Sequence, residues 1–244
     1  MFKICLFIIT FISFSNFALG SFNKTTSERF FKIEKNPAEK PLHRLGEKKW
    51  NKLFYRVKNI KKKDLSSVVF LGDSITEALG YSPVWKKTFQ NQRPLNLGIW
   101  SDRTQHLLWR IQNGQIDGLN PKVFVLLIGT NNILINTPLQ IAGGVEKITR
   151  EINERYPKSH ILLFGIFPSN KSPLHKRRKL IQKTNSHISK LNLLPYITYL
   201  DIGSSFLSKD GSISKRIMTD YLHLSEKGKK IWVKKMSPVI KDFL

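Results

Sequence analysis

The chain has 244 residues, of which 41% are hydrophobic and 24% are charged. This length predicts one domain with a full buried core rather than several domains. The single cysteine, Cys5, lies near the N-terminus. If processing removed it, the mature protein could form no disulfide and could not use a thiol in catalysis.

The chain is strongly basic, because its 41 Lys and Arg residues outnumber its 17 Asp and Glu residues and give a formal net charge of +24. Such a charge favours anionic surfaces, and a peripheral attraction to a membrane or an acidic cell-wall polymer stays open. The plainer interpretation is that the basic clusters are solvated helix faces. Nucleic-acid binding is disfavoured, because neither a zinc-finger spacing nor an aromatic RNA-binding signature is present. The clusters are 61–63, 86–87, 175–179, 227–230 and 234–235.

The N-terminus predicts a signal peptide over residues 1–20. Lys3 precedes an apolar run from Ile4 to Phe17, and small residues at Ala18 and Gly20 suit cleavage before Ser21. A membrane anchor or a buried strand is the alternative, but the run is shorter than the roughly 20 residues that a spanning helix needs. We therefore expect an exported protein, secreted or periplasmic after cleavage.

Residues 21–64 are predicted to form a basic arm and a helix that packs on the core. The first part, to about Leu45, is polar and aperiodic. Apolar residues then recur at helical spacing at Trp50, Leu53, Phe54 and Val57.

From about residue 65 to 244, short apolar runs alternate with helical stretches. Continuous apolar strands of this kind indicate a parallel sheet that is covered on both faces, hence a three-layer α/β domain. Thr137 and Gln140 have capping-box spacing around Pro138, which predicts a helix to about Tyr156, with Gly143 and Gly144 packing closely. The runs are 68–71, 95–97, 123–128, 161–167 and 197–202.

Three short motifs follow predicted strands or precede the last predicted helix. They contain Ser74, Asn131, and the pair Asp220 and His223. Ligands of open α/β sheets bind beyond the carboxyl ends of the strands, where these motifs are expected. A serine activated by a histidine, a carboxylate that orients the histidine, and an amide that donates to an oxyanion are the parts of an acyl-transfer site.

Each motif alone is a common turn sequence, and only their order and placement together point to a hydrolase. The Gly-x-Ser-x-Gly pattern of α/β-hydrolases is absent around Ser74. No metal is predicted, because no metal motif organises the remaining histidines. Those histidines are His43, His106, His160, His175 and His187.

The motifs resemble those of the SGNH, or GDSL-type, hydrolase superfamily, and within it the catalytic subunits of intracellular platelet-activating factor acetylhydrolase and their bacterial relatives. The stretches that carry the resemblance are 70–76, 96–114, 128–132 and 220–225. It implies a flavodoxin-like α/β/α fold with a central parallel sheet of about five strands. It also implies ester hydrolysis without a cofactor, with Ser74 as nucleophile and Asp220 and His223 as its activating pair. Ser74 N–H and Asn131 would serve the oxyanion hole.

The chain departs from the family pattern at the second motif. The position that aligns with the glycine whose N–H completes the oxyanion hole is Ser101. A backbone donor survives this change, but a positive φ would make serine costly there. Trp100 beside it is a candidate to line the acyl pocket, with ordinary core packing as the alternative.

These features predict an exported serine esterase that acts on short acyl groups, with acetyl favoured by the resemblance. Two substrate classes stay open: phospholipid or other lipid esters, and O-acetylated polysaccharides. The alternative function is a non-catalytic binder of anionic surfaces that keeps the hydrolase fold. The oligomeric state is not predicted.

Overall fold

The computed structural model describes residues 36–60 and 65–244. The predicted signal peptide and the arm up to residue 35 therefore lie outside the described residues. None of the helices within residues 36–60 and 65–244 has the length and hydrophobicity of a membrane-spanning segment.

The helices and strands alternate along most of the chain. The strands are β1 (Val68–Gly72), β2 (Leu95–Asn96), β3 (Val123–Leu127), β4 (His160–Phe164) and β5 (Ile197–Leu200). The helices are α1 (Lys48–Lys58), α2 (Ser74–Leu79), α3 (Pro83–Phe89), α4 (Thr104–Gln112), α5 (Pro138–Arg155), α6 (Lys176–Ile188) and α7 (Glu226–Lys241).

The five strands form one parallel sheet in the order β2-β1-β3-β4-β5. This is the flavodoxin-like order, in which the strand sequence reverses direction between β1 and β3. The predicted fold class is therefore confirmed. The apolar run at 161–167 is longer than β4, because Ile166 and Phe167 are buried in the loop that follows the strand rather than in the sheet.

Alternate residues of the central strands pack on opposite faces of the sheet, as the two-residue period of a strand requires. Val69 and Leu71 pack in a cluster with α1, α4, α5 and α6. Val68 and Phe70 pack in a second cluster with α2, α3 and α7. The two clusters give the three layers of an α/β/α domain.

Helix α1 buries Trp50, Phe54 and Val57 against the first cluster, as the sequence period predicts. A turn of 3-10 helix before it, Pro37–Glu39, lies against α5. There, a Cβ on Gly144 would come 2.6 Å from the carbonyl oxygen of Ala38. Gly144 thus permits the close packing that the sequence suggested, and residues 36–60 lie on the same layer as α4 and α5.

Candidate active site

Ser74 is the first residue of α2 and directly follows the turn after β1. Asp73 caps this helix, because its Oδ1 accepts the N–H of Ile75 at 2.9 Å. The turn needs a glycine at position 72, since a Cβ there would come 2.4 Å from the carbonyl oxygen of Leu127. Serine at the start of the helix leaves its own N–H without an intrahelical partner.

Asp220 and His223 lie in the loop before α7 and form a local unit. His223 Nδ1 is 2.6 Å from Asp220 Oδ2. Asp220 Oδ1 also accepts the backbone N–H groups of Leu222 at 3.0 Å and His223 at 2.7 Å. Partial burial alone would raise the pKa of Asp220, but these hydrogen bonds lower it below its usual value. The carboxylate is therefore held ionised beside the imidazole.

The nucleophile candidate and the base candidate meet across 149 residues of sequence. Ser74 Oγ lies 2.8 Å from His223 Nε2. With the Nδ1 proton directed to Asp220, Nε2 is left to accept the hydroxyl proton of Ser74. Ser74, His223 and Asp220 thus form one hydrogen-bonded chain, as the sequence motifs suggested.

Asn131 lies in a short 3-10 turn, Thr130–Asn132, after β3. Its Nδ2 donates to the carbonyl oxygen of Asp102 at 2.9 Å. An amide nitrogen carries two protons, so this bond fixes the side chain and leaves the second proton for another acceptor. Arg177 supports the turn from α6, because its Nη2 donates to the carbonyl oxygen of Thr130 at 2.7 Å.

The loop from Gly98 to Asp102 carries the predicted third donor. Ser101 is exposed and has φ of 58°, in the left-handed region. The positive φ that the sequence argument named as costly for serine is therefore present. Among residues 36–60 and 65–244, Ser101 N–H has no acceptor. The loop meets β1 where Ile99 N–H donates to the carbonyl oxygen of Gly72 at 3.2 Å.

Trp100 is half-buried and packs against the first hydrophobic cluster. The guanidinium of Arg44 lies 4.6 Å from the centre of its ring, and the ammonium of Lys49 lies 5.3 Å from it. These contacts place the indole beside the start of α1. Its predicted role in an acyl pocket stays a prediction.

A buried ion pair supports the same loop from beneath. Both side chains, Asp102 and Arg110, are completely buried, and Arg110 Nε lies 2.6 Å from Asp102 Oδ2. Arg110 also donates to the carbonyl oxygens of Leu97 at 2.9 Å and Gly72 at 3.1 Å. Trp50 Nε1 donates to the other oxygen of Asp102 at 2.6 Å. Burial raises the pKa of Asp102, and the charge of Arg110 opposes this rise.

Sequence reasoning did not single out Arg110, Arg44 or Arg177. Arg110 carried a weak signal, because it lies on a helix beside the apolar residues Leu108 and Ile111, where a charge is unusual unless it is paired. Arg177 belongs to the basic cluster at 175–179 that was interpreted as a solvated face. Its contact with Thr130 shows that this part of the cluster faces the site instead.

Asp73 is the other buried carboxyl of the site. Burial raises its pKa to about 7, although the hydrogen bond from Ile75 works against the shift. Its Oδ2 has no hydrogen-bond partner among the described residues. Its hydrogen bond from Ile75 N–H makes it the N-cap of α2.

Comparison with known proteins identifies the family. The model of the GDSL-like lipase/acylhydrolase family matches residues 70–231. Human platelet-activating factor acetylhydrolase IB subunit alpha1 is 36% identical over 198 residues, which cover 80% of this chain and 85% of that protein.

Solved structures show the same fold at lower identity. A GDSL-like lipase from Bacteroides thetaiotaomicron has a TM-score of 0.66 and 17% identity, covering 80% of this chain and 98% of that one. An acetyl xylan esterase, AlAXEase, has a TM-score of 0.61 and 18% identity, covering 70% and 98%. The chain therefore belongs to the GDSL-like lipase/acylhydrolase family of the SGNH superfamily, and it is an ester hydrolase.

Proposed function

We propose that the chain is an exported serine esterase that removes short acyl groups, acetyl above all, through Ser74, His223 and Asp220. The observation that carries the proposal is the 2.8 Å contact between Ser74 Oγ and His223 Nε2. It is extended by the 2.6 Å contact between His223 Nδ1 and Asp220. A serine within hydrogen-bond reach of an imidazole, itself oriented by a carboxylate, is the arrangement that acyl transfer requires.

In the first half of the reaction, His223 Nε2 takes the proton of Ser74 as Oγ attacks the ester carbonyl carbon. The imidazolium then gives this proton to the leaving alcohol as the bond between the carbonyl carbon and the alkoxy oxygen breaks. In the second half, His223 deprotonates a water that attacks the acyl-serine. The proton returns to Ser74 Oγ when the acid leaves.

The negative charge that develops on the carbonyl oxygen needs fixed donors. We assign these donors to Ser74 N–H, Ser101 N–H and the second amide proton of Asn131. Two of the three belong to one connected unit, because Asn131 donates to the carbonyl oxygen of Asp102, the residue after Ser101. Removing one such donor lowers kcat by about 10²- to 10³-fold in other enzymes.

Acetyl as the acyl group is supported by the name of the human relative, an acetylhydrolase, and by one structural neighbour named as an acetyl xylan esterase. The two names point to different alcohols. Lipid esters such as acetylated phospholipids are one substrate class, and O-acetylated polysaccharides are the other. The net charge of +24 suits either, since membranes and many envelope polymers are anionic.

Export is part of the proposal and rests on the apolar run from Ile4 to Phe17 with small residues before Ser21. N-terminal sequencing of the protein isolated from its source tests this part of the proposal. A mature N-terminus at Ser21 is the expected result of N-terminal sequencing, whereas a retained Met1 would contradict export with cleavage.

The triad is tested by the hydrolysis of p-nitrophenyl acetate, butyrate and octanoate by the wild type, Ser74→Ala and His223→Ala. Ser186→Ala is the matched control, because Ser186 is an exposed serine on α6. We expect turnover to be fastest on acetate and lost in the first two variants only. Folded wild type that hydrolyses none of the three esters faster than Ser74→Ala would contradict the esterase. Salt-sensitive binding of Ser74→Ala to anionic vesicles would then favour the surface-binding function.

The substrate class is tested separately by acetate release from an acetylated phospholipid in vesicles and from acetylated xylan. A kcat/KM that exceeds the other by about 100-fold, or about 2.7 kcal/mol of transition-state stabilisation, would assign the class. Equal and slow release from both would direct the search to a third ester.

A further inference from the structure

Arg44 connects the segment before the sheet to the loop that carries Ser101. Its side chain is only 8% exposed. Its Nη1 donates to the carbonyl oxygen of Trp100 at 2.9 Å and lies 3.6 Å from Asp102 Oδ1. Its Nε donates to Glu47 at 2.9 Å. Arg44 lies outside residues 70–231, the part of the chain that matches the family model.

The carbonyl of Trp100, which accepts from Arg44, belongs to the peptide group whose N–H is assigned to the oxyanion hole. The carbonyl of Trp100 and the N–H of Ser101 are the two ends of one planar peptide unit. In a trans peptide they point in opposite directions, so a donor that fixes the carbonyl also fixes the direction of the N–H. Arg44 holds the carbonyl end with a charged donor, which is the stronger kind of hydrogen bond.

This peptide needs such support because Ser101 adopts φ of 58°, a conformation that disfavours residues other than glycine. A strained residue persists when the surrounding structure over-determines it. Here the preceding N–H, on Trp100, donates to Glu77 Oε2 at 2.8 Å, and the following residue, Asp102, is buried in its ion pair with Arg110. The peptide between these two anchors has Arg44 as its own contact.

We propose that Arg44 is a positioning residue, which holds the Trp100–Ser101 peptide so that Ser101 N–H faces the reacting carbonyl oxygen. The inference rests on the proposed function, because the assignment of Ser101 N–H to the oxyanion belongs to it. Arg44 touches no reacting atom and acts only through the peptide.

Lys49 provides a matched control. Its ammonium lies over the same Trp100 ring at 5.3 Å, and the residue is exposed. Removing it takes away a positive charge near the loop and a contact with the indole, but leaves the hydrogen bond to the carbonyl of Trp100 in place. A larger effect at Arg44 than at Lys49 would therefore not be explained by the lost charge or by the lost contact with the indole.

The kinetic test compares Arg44→Met, Arg44→Lys and Lys49→Met in the full chain on p-nitrophenyl acetate, at a temperature where circular dichroism shows all of them folded. We expect Arg44→Met to lower kcat by about 10- to 100-fold, below the full loss of a donor, with KM within about 2-fold. Arg44→Lys should recover part of kcat, and Lys49→Met should stay within about 2-fold of the wild type. A rise in KM at unchanged kcat, or equal losses at both positions, would overturn the proposal.

A structural readout decides the same point without turnover. In crystal structures of Arg44→Met and Lys49→Met, we expect the Trp100–Ser101 peptide to rotate only in the first. A Ser101 that keeps its positive φ in Arg44→Met, with the carbonyl of Trp100 unmoved, would overturn the positioning role whatever the kinetics. If the wild type hydrolyses no ester faster than Ser74→Ala, the proposed function fails, and these structures still decide whether Arg44 holds the peptide.

Discussion

The two sides of the site are built differently. On the base side, Asp220 and His223 are three residues apart in an exposed loop, with side chains 54% and 38% exposed. On the oxyanion side, the loop that ends at Asp102 is held by residues from four other parts of the chain: Arg44, Trp50, Arg110 and Asn131. Asp102 and Arg110 there are completely buried.

This difference separates two ways of fixing a functional group. The base side uses local hydrogen bonds, in which one carboxylate accepts backbone donors two and three residues ahead and also orients the imidazole. The oxyanion side uses long-range contacts that exist only when the domain is folded. Activity should therefore be sensitive to changes on the base side without loss of stability, whereas changes under the oxyanion loop should affect both.

The first way to test this contrast is Asp220→Asn. The change keeps an oxygen that can accept the N–H groups of Leu222 and His223, but it removes the charge that stabilises the imidazolium. We expect kcat to fall by about 10³- to 10⁴-fold, as for a comparable carboxylate elsewhere. The exposed pair adds little to stability, so the Tm should move by no more than about 3 °C.

Asp210→Asn is the matched control, because Asp210 is also exposed and its Oδ1 also accepts an N–H two residues ahead, that of Ser212, at 3.0 Å. It should leave kcat unchanged. A loss of kcat below 10-fold in Asp220→Asn would mean that the histidine is oriented without its charge.

Arg110→Met tests the oxyanion side of the comparison. It leaves Asp102 buried without its main ionic partner and deprives the carbonyl oxygens of Gly72 and Leu97 of a donor. Breaking a buried pair in this way costs about 3–5 kcal/mol of unfolding free energy. Urea denaturation of the wild type and the variant measures it.

The double variant Asp102→Asn with Arg110→Met is the control for the unpaired charge. Because it removes both charges, we expect it to be more stable than Arg110→Met alone. If the double variant loses as much unfolding free energy as Asp102→Asn and Arg110→Met lose together, the loss comes from disturbed packing rather than from the unpaired carboxylate.

The features that could be predicted from the sequence differ from those that could not in the same way. The sheet was predicted because its central strands β1, β3 and β4 are almost entirely apolar, and Ser74, Asp220 and His223 were candidates because their motifs are local. The requirement for a positive φ at Ser101 was also foreseeable from the glycine that it replaces. The brace formed by Arg44, Trp50 and Arg110 was not, because it joins residues up to 58 positions apart and its members resemble ordinary helix residues until the fold brings them together.

Asp73 offers a pH test at the boundary between the two sides. Burial raises its pKa to about 7 from the ordinary 3.8. The folded protein therefore binds a proton that the unfolded chain releases between these values, so the free energy of unfolding should fall as the pH rises from about 4 to 7. The full effect is at most about 4 kcal/mol.

Asp73→Asn keeps an oxygen to cap Ile75 N–H but cannot ionise. Its stability relative to the wild type should rise across this pH range and level off above about pH 7. Urea denaturation at pH 5, 6, 7 and 8 measures the difference. A constant difference between the two proteins across the four pH values would mean that Asp73 titrates near its ordinary pKa, and that it has access to water in solution.

The smallest effect is expected at the strained residue itself, in Ser101→Gly. Glycine adopts φ of 58° without the steric cost that serine bears, although it loses more backbone entropy on folding. The net gain should be at most about 1 kcal/mol, or about 2–4 °C in Tm. Ser186→Gly, inside α6, should instead lose about 0.5 kcal/mol, so the two glycine variants are expected to differ in sign.

The kinetics of Ser101→Gly then show whether the contacts around the Trp100–Ser101 peptide are enough to orient it. Because the N–H survives the change, kcat should stay within about 3-fold of the wild type if Arg44, Glu77 and Asp102 alone orient the peptide. A larger fall in kcat, in a protein that is more stable, would mean that the restricted backbone of serine helps to keep the donor in place. In that case the strain on the oxyanion side would be part of the mechanism.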